Sequence, residues 1–298
     1  MKRLLNIDGG GIRIYFSLLI LNYIEKRTNK RIIDLFDFYA GVSASSIILA
    51  ALLTKYTVDE MLVLFKEISK NIFYKSIYYT ITSGFGFFYS KYPDTNINYE
   101  LEKLLGDEKI SAVKKPLIIL TYDLVNTKSK NFHSYKNSDY KLWEVVRSST
   151  AAPTYFPPYK MDEFMLIDGG VVTNNLSEYI FINALDYYGP QEEFFQVSIG
   201  TGTYTRKFDY PPSGLWSWGS SIIDVFFSAT STYEMNTLNK ISKFEKLKSF
   251  YRIDINLEQP ISLDDYNSFD TIEEIFNKWL ENNKNYLDTI CDELEKLT

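Results

Sequence analysis

Residues 8–13 read DGGGIR and stand between a short apolar run, residues 4–7, and an apolar stretch that begins at Phe16. Consecutive glycines destabilise regular structure, so a chain keeps them where the backbone needs a positive φ or must approach a ligand closely. A glycine-rich turn that opens a helix also presents N–H groups at the positive end of the helix dipole, which suits a phosphate or an oxyanion. The stretch therefore predicts a strand, then a ligand-binding turn, then a helix.

Strands and helices alternate along the rest of the chain. Predicted strands cover residues 3–7, 37–42, 116–122, 131–135, 164–167, 194–199 and 250–255, and predicted helices cover residues 17–27, 44–54, 58–73, 98–105, 142–149, 177–188 and 271–297. Such alternation is typical of an α/β sandwich with a largely parallel sheet. No linker or repeat divides the sequence, so we expect residues 1–298 to form a single domain.

The composition of the chain limits which partners it can bind and in which compartment it is expected. The 298 residues carry a net charge of −6 without a basic block, which argues against nucleic acid as a partner. The one cysteine, Cys291, lies at helical spacing with Leu287 and Leu294 and is expected in the core. The longest apolar run, residues 47–53, is far shorter than the roughly 20 residues that span a bilayer. We expect a cytoplasmic protein without a signal peptide, with peripheral membrane contact as an additional possibility.

A second turn, GVSAS at residues 41–45, joins a predicted strand to a predicted helix. A serine in such a turn is typical of a nucleophile elbow, which lifts the hydroxyl above the edge of the sheet. The strict pattern has glycine where Ser45 stands, and a serine that merely caps the helix is the alternative interpretation. In open α/β sheets the carboxyl ends of neighbouring strands meet, so this turn and DGGGIR are expected at one site.

The histidine count limits the choice of a base for Ser43. The only histidine, His133, lies in an alternating strand and is expected to be a solvated strand residue. A Ser-His-Asp triad needs an imidazole, so the base is expected to be a carboxylate. Asp168 ends an apolar strand and precedes two glycines, which places it at the same edge, and partial burial would raise its pKa and make it a better base.

This assignment explains the glycines. The amides of Gly10 and Gly11 would receive the oxyanion that forms when Ser43 attacks a carbonyl. Asp8 is expected to fix the turn through backbone hydrogen bonds. A dinucleotide site is the alternative, but Ile14 occupies the place of the third glycine in that pattern.

Five motifs in a fixed order carry a resemblance to a known family. They are DGGGIR at 8–13, GVSAS at 41–45, WEVVRSSTAAPTYFPP at 143–158, LIDGGVVTNN at 166–175 and SIGTGT at 198–203. Over roughly residues 3–203 the chain resembles the patatin-like phospholipases. The resemblance implies a three-layer α/β/α fold, hydrolysis of lipid acyl esters and a Ser–Asp dyad, with no metal or other cofactor.

The resemblance also assigns individual positions. Ser43 would be the nucleophile and Asp168 the base. The oxyanion loop would consist of Gly9, Gly10 and Gly11 with Arg13 beside it, where Arg13 orients the loop or adds positive charge. Residues 151–153 would line the site.

Three positions depart from the family pattern. Ile14 and Ser45 stand where the family usually has glycine, and Leu176 stands where it often has proline. Ile14 begins a helix, where glycine is dispensable. Ser45 is the more serious departure, because a side chain there could crowd the elbow.

Membrane phospholipids or other acyl lipids are the expected partners. The aromatic-rich segment from Ile72 to Tyr92 is a candidate lid or membrane-facing patch, with a core segment under a loop as the alternative. Trp216 and Trp218 form a second candidate. The part from 204 to 298 would end in an amphipathic helix, 271–297, docked on the domain and open to a break at residues 282–285.

Two further functions compete with a phospholipase A-type acyl hydrolase. The first is a catalytically weak or inactive lipid-binding protein with the same fold. The second is a nucleotide-binding α/β protein, which the acidic turn at Asp8 disfavours.

Overall fold

The computed structural model describes residues 1–84, 88–136, 139–204, 221–241 and 246–297. Within these ranges eight strands form one sheet in the order β5-β6-β3-β2-β1-β7-β8, with β4 also paired to β3. The strands are β1 Lys2–Ile7, β2 Phe38–Val42, β3 Leu117–Asp123, β4 Lys128–His133, β5 Tyr159–Met161, β6 Phe164–Asp168, β7 Phe194–Ile199 and β8 Leu247–Ile253. Strands β3, β2, β1, β7 and β8 run parallel, whereas β4, β5 and β6 are antiparallel to their neighbours.

Helices cover both faces of this sheet. They are α1 Ile14–Thr28, α2 Ile32–Leu35, α3 Ala44–Thr54, α4 Val58–Ile72, α5 Ile77–Thr82, α6 Asp94–Leu105, α7 Leu142–Ser149, α8 Ser177–Tyr188, α9 Ser221–Ile241 and α10 Phe269–Leu297. Apolar side chains of α1, α3, α4, α6, α7 and α10 form the core on one face. Side chains of α8 and α9 form the smaller core on the other. The predicted three-layer α/β/α sandwich with a largely parallel sheet is therefore confirmed.

Alternation along the strands explains the two cores. Leu5 and Ile7 of β1 face the larger core, while Leu4 faces the smaller one. Successive side chains of a strand point to opposite faces, and a sheet covered on both sides keeps both sets apolar. Every residue of β2 and β7 is buried for the same reason.

Strand β6 reaches the sheet in a way that the sequence did not reveal. Val42, at the end of β2, pairs with Leu120 of β3, and Asp168, at the end of β6, pairs with the next residue, Thr121. Strand β4 pairs along the whole of β3 and so takes its other edge. Strands β2 and β6 therefore share one edge of β3 from opposite directions, and their carboxyl ends meet.

The C-terminal part of the chain completes the sheet and the larger core. Strand β8 adds to β7 in parallel, beginning at Leu247 rather than at the expected residue 250. Helix α10 continues without a break through residues 282–285 and docks on α1, where the hydroxyl of Tyr23 donates to Asp288 Oδ1 at 2.7 Å. Helix α10 thus packs against the rest of the described fold. No described helix combines the length and apolar character needed to cross a bilayer.

Candidate active site

Ser43 lies in a sharp turn between β2 and α3, in a backbone conformation that non-glycine residues rarely adopt, with φ +57° and ψ −136°. Its amide donates to Ser149 Oγ at 2.9 Å, and Ser149 Oγ donates in turn to the carbonyl of Leu120 at 2.7 Å. Rare backbone conformations persist where surrounding contacts hold them, and they are concentrated at functional sites. The predicted elbow is present, and α7 and β3 hold it in place.

Ser45 does not crowd the elbow. Its side chain is fully buried, and its hydroxyl accepts from the Val42 amide and lies within hydrogen-bond distance of the Ile7 carbonyl, both at 2.8 Å. The hydroxyl thus links the carboxyl ends of β1 and β2. A Cβ on Gly41 would lie 3.1 Å from Ser45 Oγ and 2.9 Å from a methyl of Leu49, so the glycine at 41 leaves room for the serine at 45.

Asp168 lies beside Ser43 and is completely buried. Its Oδ1 accepts from the amide of Gly170 at 2.8 Å. Burial raises the pKa of Asp168 to about 7, although the Ser43 hydroxyl and the Gly170 amide both act to lower it. The Ser43 hydroxyl is thus close enough to stabilise the ionised form of Asp168. The two side chains do not form a full hydrogen bond, and Asp168 Oδ2 has no hydrogen-bond partner among the described residues.

The glycines of DGGGIR fit tightly against this pair. A Cβ on Gly9 would lie 3.0 Å from the Cβ of Ser43, and one on Gly11, which has φ +55°, would lie 2.1 Å from the carbonyl oxygen of Leu263. The Gly9 amide points to the carbonyl of Asn174 at 3.4 Å. Among the described residues, no acceptor pairs with the amides of Gly10 or Gly11. Arg13 ends the short 3₁₀ turn that follows, and α1 begins at Ile14, whose side chain is buried.

Asp8 is held by a side chain that the sequence prediction missed. Its carboxylate accepts from Arg252 Nη1 at 2.9 Å and from Nη2 at 2.5 Å, and Arg252 also donates to Asp254 at 2.9 Å. Burial raises the pKa of Asp8 to about 6 against the opposing effect of Arg252. Asp8 was expected to act through backbone hydrogen bonds, but its carboxylate forms this buried ion pair with β8. No local pattern could have shown it, since the two residues are 244 positions apart.

An apolar cavity that opens to the surface lies next to Ser43 and Asp168. Its apolar lining residues are Ala44, Ile47, Phe65, Ile72, Phe73, Ile97, Ala152, Tyr155, Phe156 and Leu263. Ala152 belongs to the segment 151–153 that was expected to line the site. A mostly apolar lining with a few polar side chains has the character of a site for an apolar chain.

His133 lies elsewhere. It is on β4, with Nδ1 2.8 Å from the hydroxyl of Tyr135, and it does not line the cavity. It is partly buried rather than solvated as expected, and burial lowers its pKa to about 4. Within the described ranges, no group of three histidine, cysteine or acidic side chains is placed to hold a metal ion.

Comparison with known proteins identifies the family of the chain. The family model described as patatin-like phospholipase matches residues 5–181. The chain belongs to the patatin-like phospholipase family. Family membership supports a lipid acyl hydrolase activity in general terms.

Relatives of this patatin-like phospholipase come from plants and animals. Patatin-like protein 4 of Arabidopsis thaliana is 26% identical over 94% of this chain and 83% of its own length. Patatin-like protein 2 of Oryza sativa subsp. indica is 30% identical, covering 78% of this chain and 70% of its own length. Calcium-independent phospholipase A2-gamma of Mus musculus is 26% identical, covering 79% of this chain and 33% of its own length.

Among solved structures, VipD from Legionella pneumophila aligns with a TM-score of 0.46 at 12% identity, covering 93% of this chain and 67% of that one. Human GIVD cytosolic phospholipase A2 aligns with a TM-score of 0.42 at 10% identity, covering 76% of this chain and 48% of that one.

Proposed function

We propose that this protein is a phospholipase A-type lipid acyl hydrolase that cleaves acyl esters of phospholipids, with Ser43 as nucleophile and Asp168 as base. One observation carries the proposal. A serine in a rare backbone conformation stands beside a buried carboxyl group whose pKa is about 7, at the wall of an apolar cavity. A group whose pKa lies near neutral pH suits general base catalysis, because it is partly ionised and still accepts a proton readily.

The reaction proceeds in two steps. Asp168 takes the proton of the Ser43 hydroxyl as Ser43 Oγ attacks the acyl carbonyl. The amides of Gly10 and Gly11 donate hydrogen bonds to the oxyanion that forms. The ester C–O bond then breaks, Asp168 gives its proton to the leaving lysolipid alkoxide, and an acyl-enzyme on Ser43 remains. Asp168 next takes a proton from the water molecule that attacks the acyl-enzyme. It gives this proton to Ser43 Oγ as the bond between Oγ and the acyl carbon breaks, which releases the fatty acid and restores the Ser43 hydroxyl.

The cavity supports an acyl chain as the group beside Ser43. Aliphatic and aromatic side chains from α3, α4 and α6 line it, together with Phe156 from the segment after α7. Each methylene that leaves water for such surroundings contributes about 0.8 kcal/mol to binding, so a long acyl chain is favoured over a short one.

Contact with a membrane belongs to the same proposal. Six large apolar side chains that are 61–82% exposed lie in one short segment, and we call them the aromatic patch: Tyr74, Ile77, Tyr78, Ile81, Phe88 and Tyr89. The patch lies in the sequence between the lining residue Phe73 and Tyr92, whose amide donates to the carbonyl of the lining residue Tyr155 at 2.9 Å. The side chains are exposed, which supports the membrane-facing interpretation over a core segment. The other candidate, Trp216 and Trp218, lies outside the described residues, and a cytoplasmic location stays a prediction.

Labelling with a fluorophosphonate and product analysis together test the assignment. Wild type is expected to be labelled at Ser43 and to release fatty acid from mixed phospholipid vesicles, whereas Ser43→Ala does neither. Ser46→Ala is the matched control, because Ser46 is a buried serine of the same turn whose hydroxyl donates to the Ser43 carbonyl. Full labelling of Ser43→Ala would contradict the nucleophile. Lipid binding without any fatty acid release by wild type would favour the inactive lipid-binding alternative.

A further inference from the structure

The carbonyl oxygen of Gly9 accepts two side-chain hydrogen bonds from residues to which no role has yet been given. Asn174 Nδ2 donates to it at 3.0 Å, and Thr201 Oγ1 donates to it at 2.9 Å. Asn174 belongs to LIDGGVVTNN and Thr201 to SIGTGT, and both side chains are buried. Two donors are the full complement of a carbonyl oxygen, so the direction of this C=O bond is fixed.

Fixing this carbonyl also fixes the amide of Gly10. The Gly9 C=O and the Gly10 N–H belong to one planar peptide unit, and the described chain has no cis peptide bond. In a trans unit the C=O and N–H bonds point in opposite directions, so the Gly10 N–H points away from Asn174 and Thr201.

The opposite side of the peptide is the side of Ser43. In a trans unit the N–H lies on the same side as the preceding Cα, here that of Gly9. A Cβ on Gly9 would lie 2.6 Å from Asn174 Oδ1 and 3.0 Å from the Cβ of Ser43, whereas a Cβ on Gly10 would lie 2.2 Å from Thr201 Oγ1. Gly9 thus lies against both Asn174 and Ser43, and the Gly10 N–H, on the Gly9 Cα side of the peptide, faces the part of the site that holds Ser43.

We propose that Asn174 and Thr201 are positioning residues that aim the Gly10 amide at the oxyanion by holding the Gly9 carbonyl. This inference rests on the proposed function. A glycine peptide rotates easily, and two bonds to its carbonyl oppose that rotation before substrate binds. Neither residue touches the reacting atoms, so each acts only through the Gly9–Gly10 peptide.

Three substitutions in one loop separate this role from general stability. Thr201→Val removes the hydroxyl at constant shape, and Thr201→Ser keeps it. Thr203→Val is the matched control, because Thr203 lies in the same motif but its hydroxyl contacts Asn256 at 3.1 Å instead. Thr201→Val is expected to lower kcat on a soluble p-nitrophenyl ester about tenfold with little change in KM, and adding Asn174→Leu to raise the loss to about 100-fold. That loss approaches the roughly 100- to 1000-fold effect of deleting one oxyanion donor. Thr201→Ser and Thr203→Val keep wild-type kcat.

An alkyl trifluoromethyl ketone forms a tetrahedral oxyanion on the serine. Its inhibition constant therefore reports on the oxyanion site, and a purely structural role of Thr201 would leave it unchanged. Its inhibition constant is expected to rise in Thr201→Val by the same factor as kcat/KM falls, while the inhibition constant of the fatty acid product stays unchanged. If Thr201→Val is unfolded at the assay temperature, Thr201→Ala replaces it in both measurements.

Two outcomes would overturn the inference. The first is wild-type kcat in Thr201→Val, and the second is a loss of kcat without the matching loss of ketone affinity. Failure of the proposed function looks different, because wild type would then be inactive or Ser43→Ala would remain active, whatever stands at position 201.

Discussion

Burial of Asp168 affects activity and stability in opposite directions. Its ordinary pKa of 3.8 rises to about 7 in the folded protein because the carboxyl group is removed from water. The folded state therefore binds a proton between these pH values that the unfolded chain has lost. This contribution to stability is complete below pH 4 and is lost as the pH rises through 7, which is the range in which the proposed base becomes ionised.

We predict that kcat/KM for a soluble ester falls about tenfold per pH unit below pH 7, since only the ionised Asp168 can take the proton from Ser43. The pH–rate profile measures this. The profile of Ser46→Ala should keep the same midpoint, and activity that stays level down to pH 5 would contradict Asp168 as the base.

We predict the opposite trend for stability. Asp168→Asn removes the penalty of an ionised buried group, so the variant should be more stable than wild type at pH 8 by roughly 4 kcal/mol while being inactive. The difference should vanish near pH 4, where the wild-type carboxyl group is protonated in the folded state. Urea unfolding at both pH values measures it, and equal stabilities at pH 8 would show that Asp168 is not desolvated as the structure indicates.

The ion pair of Arg252 with Asp8 makes a second residue-scale prediction. Arg252→Met leaves Asp8 buried without its partner and should cost about 3–5 kcal/mol of unfolding free energy at pH 8. Adding Asp8→Asn should restore part of that loss, because the fully buried unpaired carboxylate is then removed and only the partly exposed Asp254 is left without Arg252. Arg27→Met is the control, since Arg27 pairs with three acidic residues at a partly exposed position, and its loss should be much smaller. Equal losses at both arginines would contradict the buried pair.

At the scale of elements, local sequence patterns predicted the bounds of several helices, because those bounds depend on neighbouring residues. Helices 44–54, 142–149 and 177–188 have the predicted bounds, because apolar spacing and the turns beside them are local signals. The start of α4 is also determined locally, because residues 57–60, TVDE, form a capping box in which the Thr57 side chain accepts from the Glu60 amide at 3.2 Å.

Strand direction and partner choice depend on distant residues and were not predictable. The sequence predicted that the end of β6 lies near the end of β2. Nothing in residues 164–168 shows that β6 runs antiparallel to β3 or that β2 and β6 pair with the same edge of β3. The same limit hid Arg252 on β8, and it hid Thr201, whose hydroxyl reaches the Gly9 carbonyl 192 positions away. The convergence of Ser43, Asp168 and the glycine turn could be predicted because each stands at the carboxyl end of a strand, where α/β folds place their sites.

The aromatic patch gives a prediction at this scale. Ile77→Ser/Tyr78→Ser should weaken binding to phospholipid vesicles roughly tenfold to 100-fold, because two side chains no longer enter the interface. Activity on vesicles should fall with it, while activity on a soluble ester stays unchanged. Ile182→Ser/Tyr233→Ser is the matched control, since these residues are 49% and 68% exposed on other helices. Equal vesicle binding by the two double variants would remove the patch from the membrane contact.

At the scale of the whole molecule, the C-terminal part closes the site as well as the sheet. Leu263 lines the cavity and its carbonyl accepts from the Ile12 amide at 2.9 Å, directly behind the glycine turn. Arg252 neutralises Asp8 at the start of the same turn. Helix α10 covers α1, which that turn opens. We therefore propose that residues 1–298 fold as one domain, although the five motifs end near residue 203.

A truncated chain tests this proposal. Residues 1–203 alone would leave the edge of β7 unpaired, expose the apolar face of α1 and bury Asp8 without Arg252, so we predict that this fragment does not fold cooperatively. Far-UV circular dichroism during urea titration and fluorophosphonate labelling measure the outcome, with full-length Ser43→Ala as the folded but unlabelled control. A broad, non-cooperative titration without labelling is expected, since the glycine turn lacks its support. A sharp transition with labelling of Ser43 would instead make residues 1–203 an independent catalytic domain.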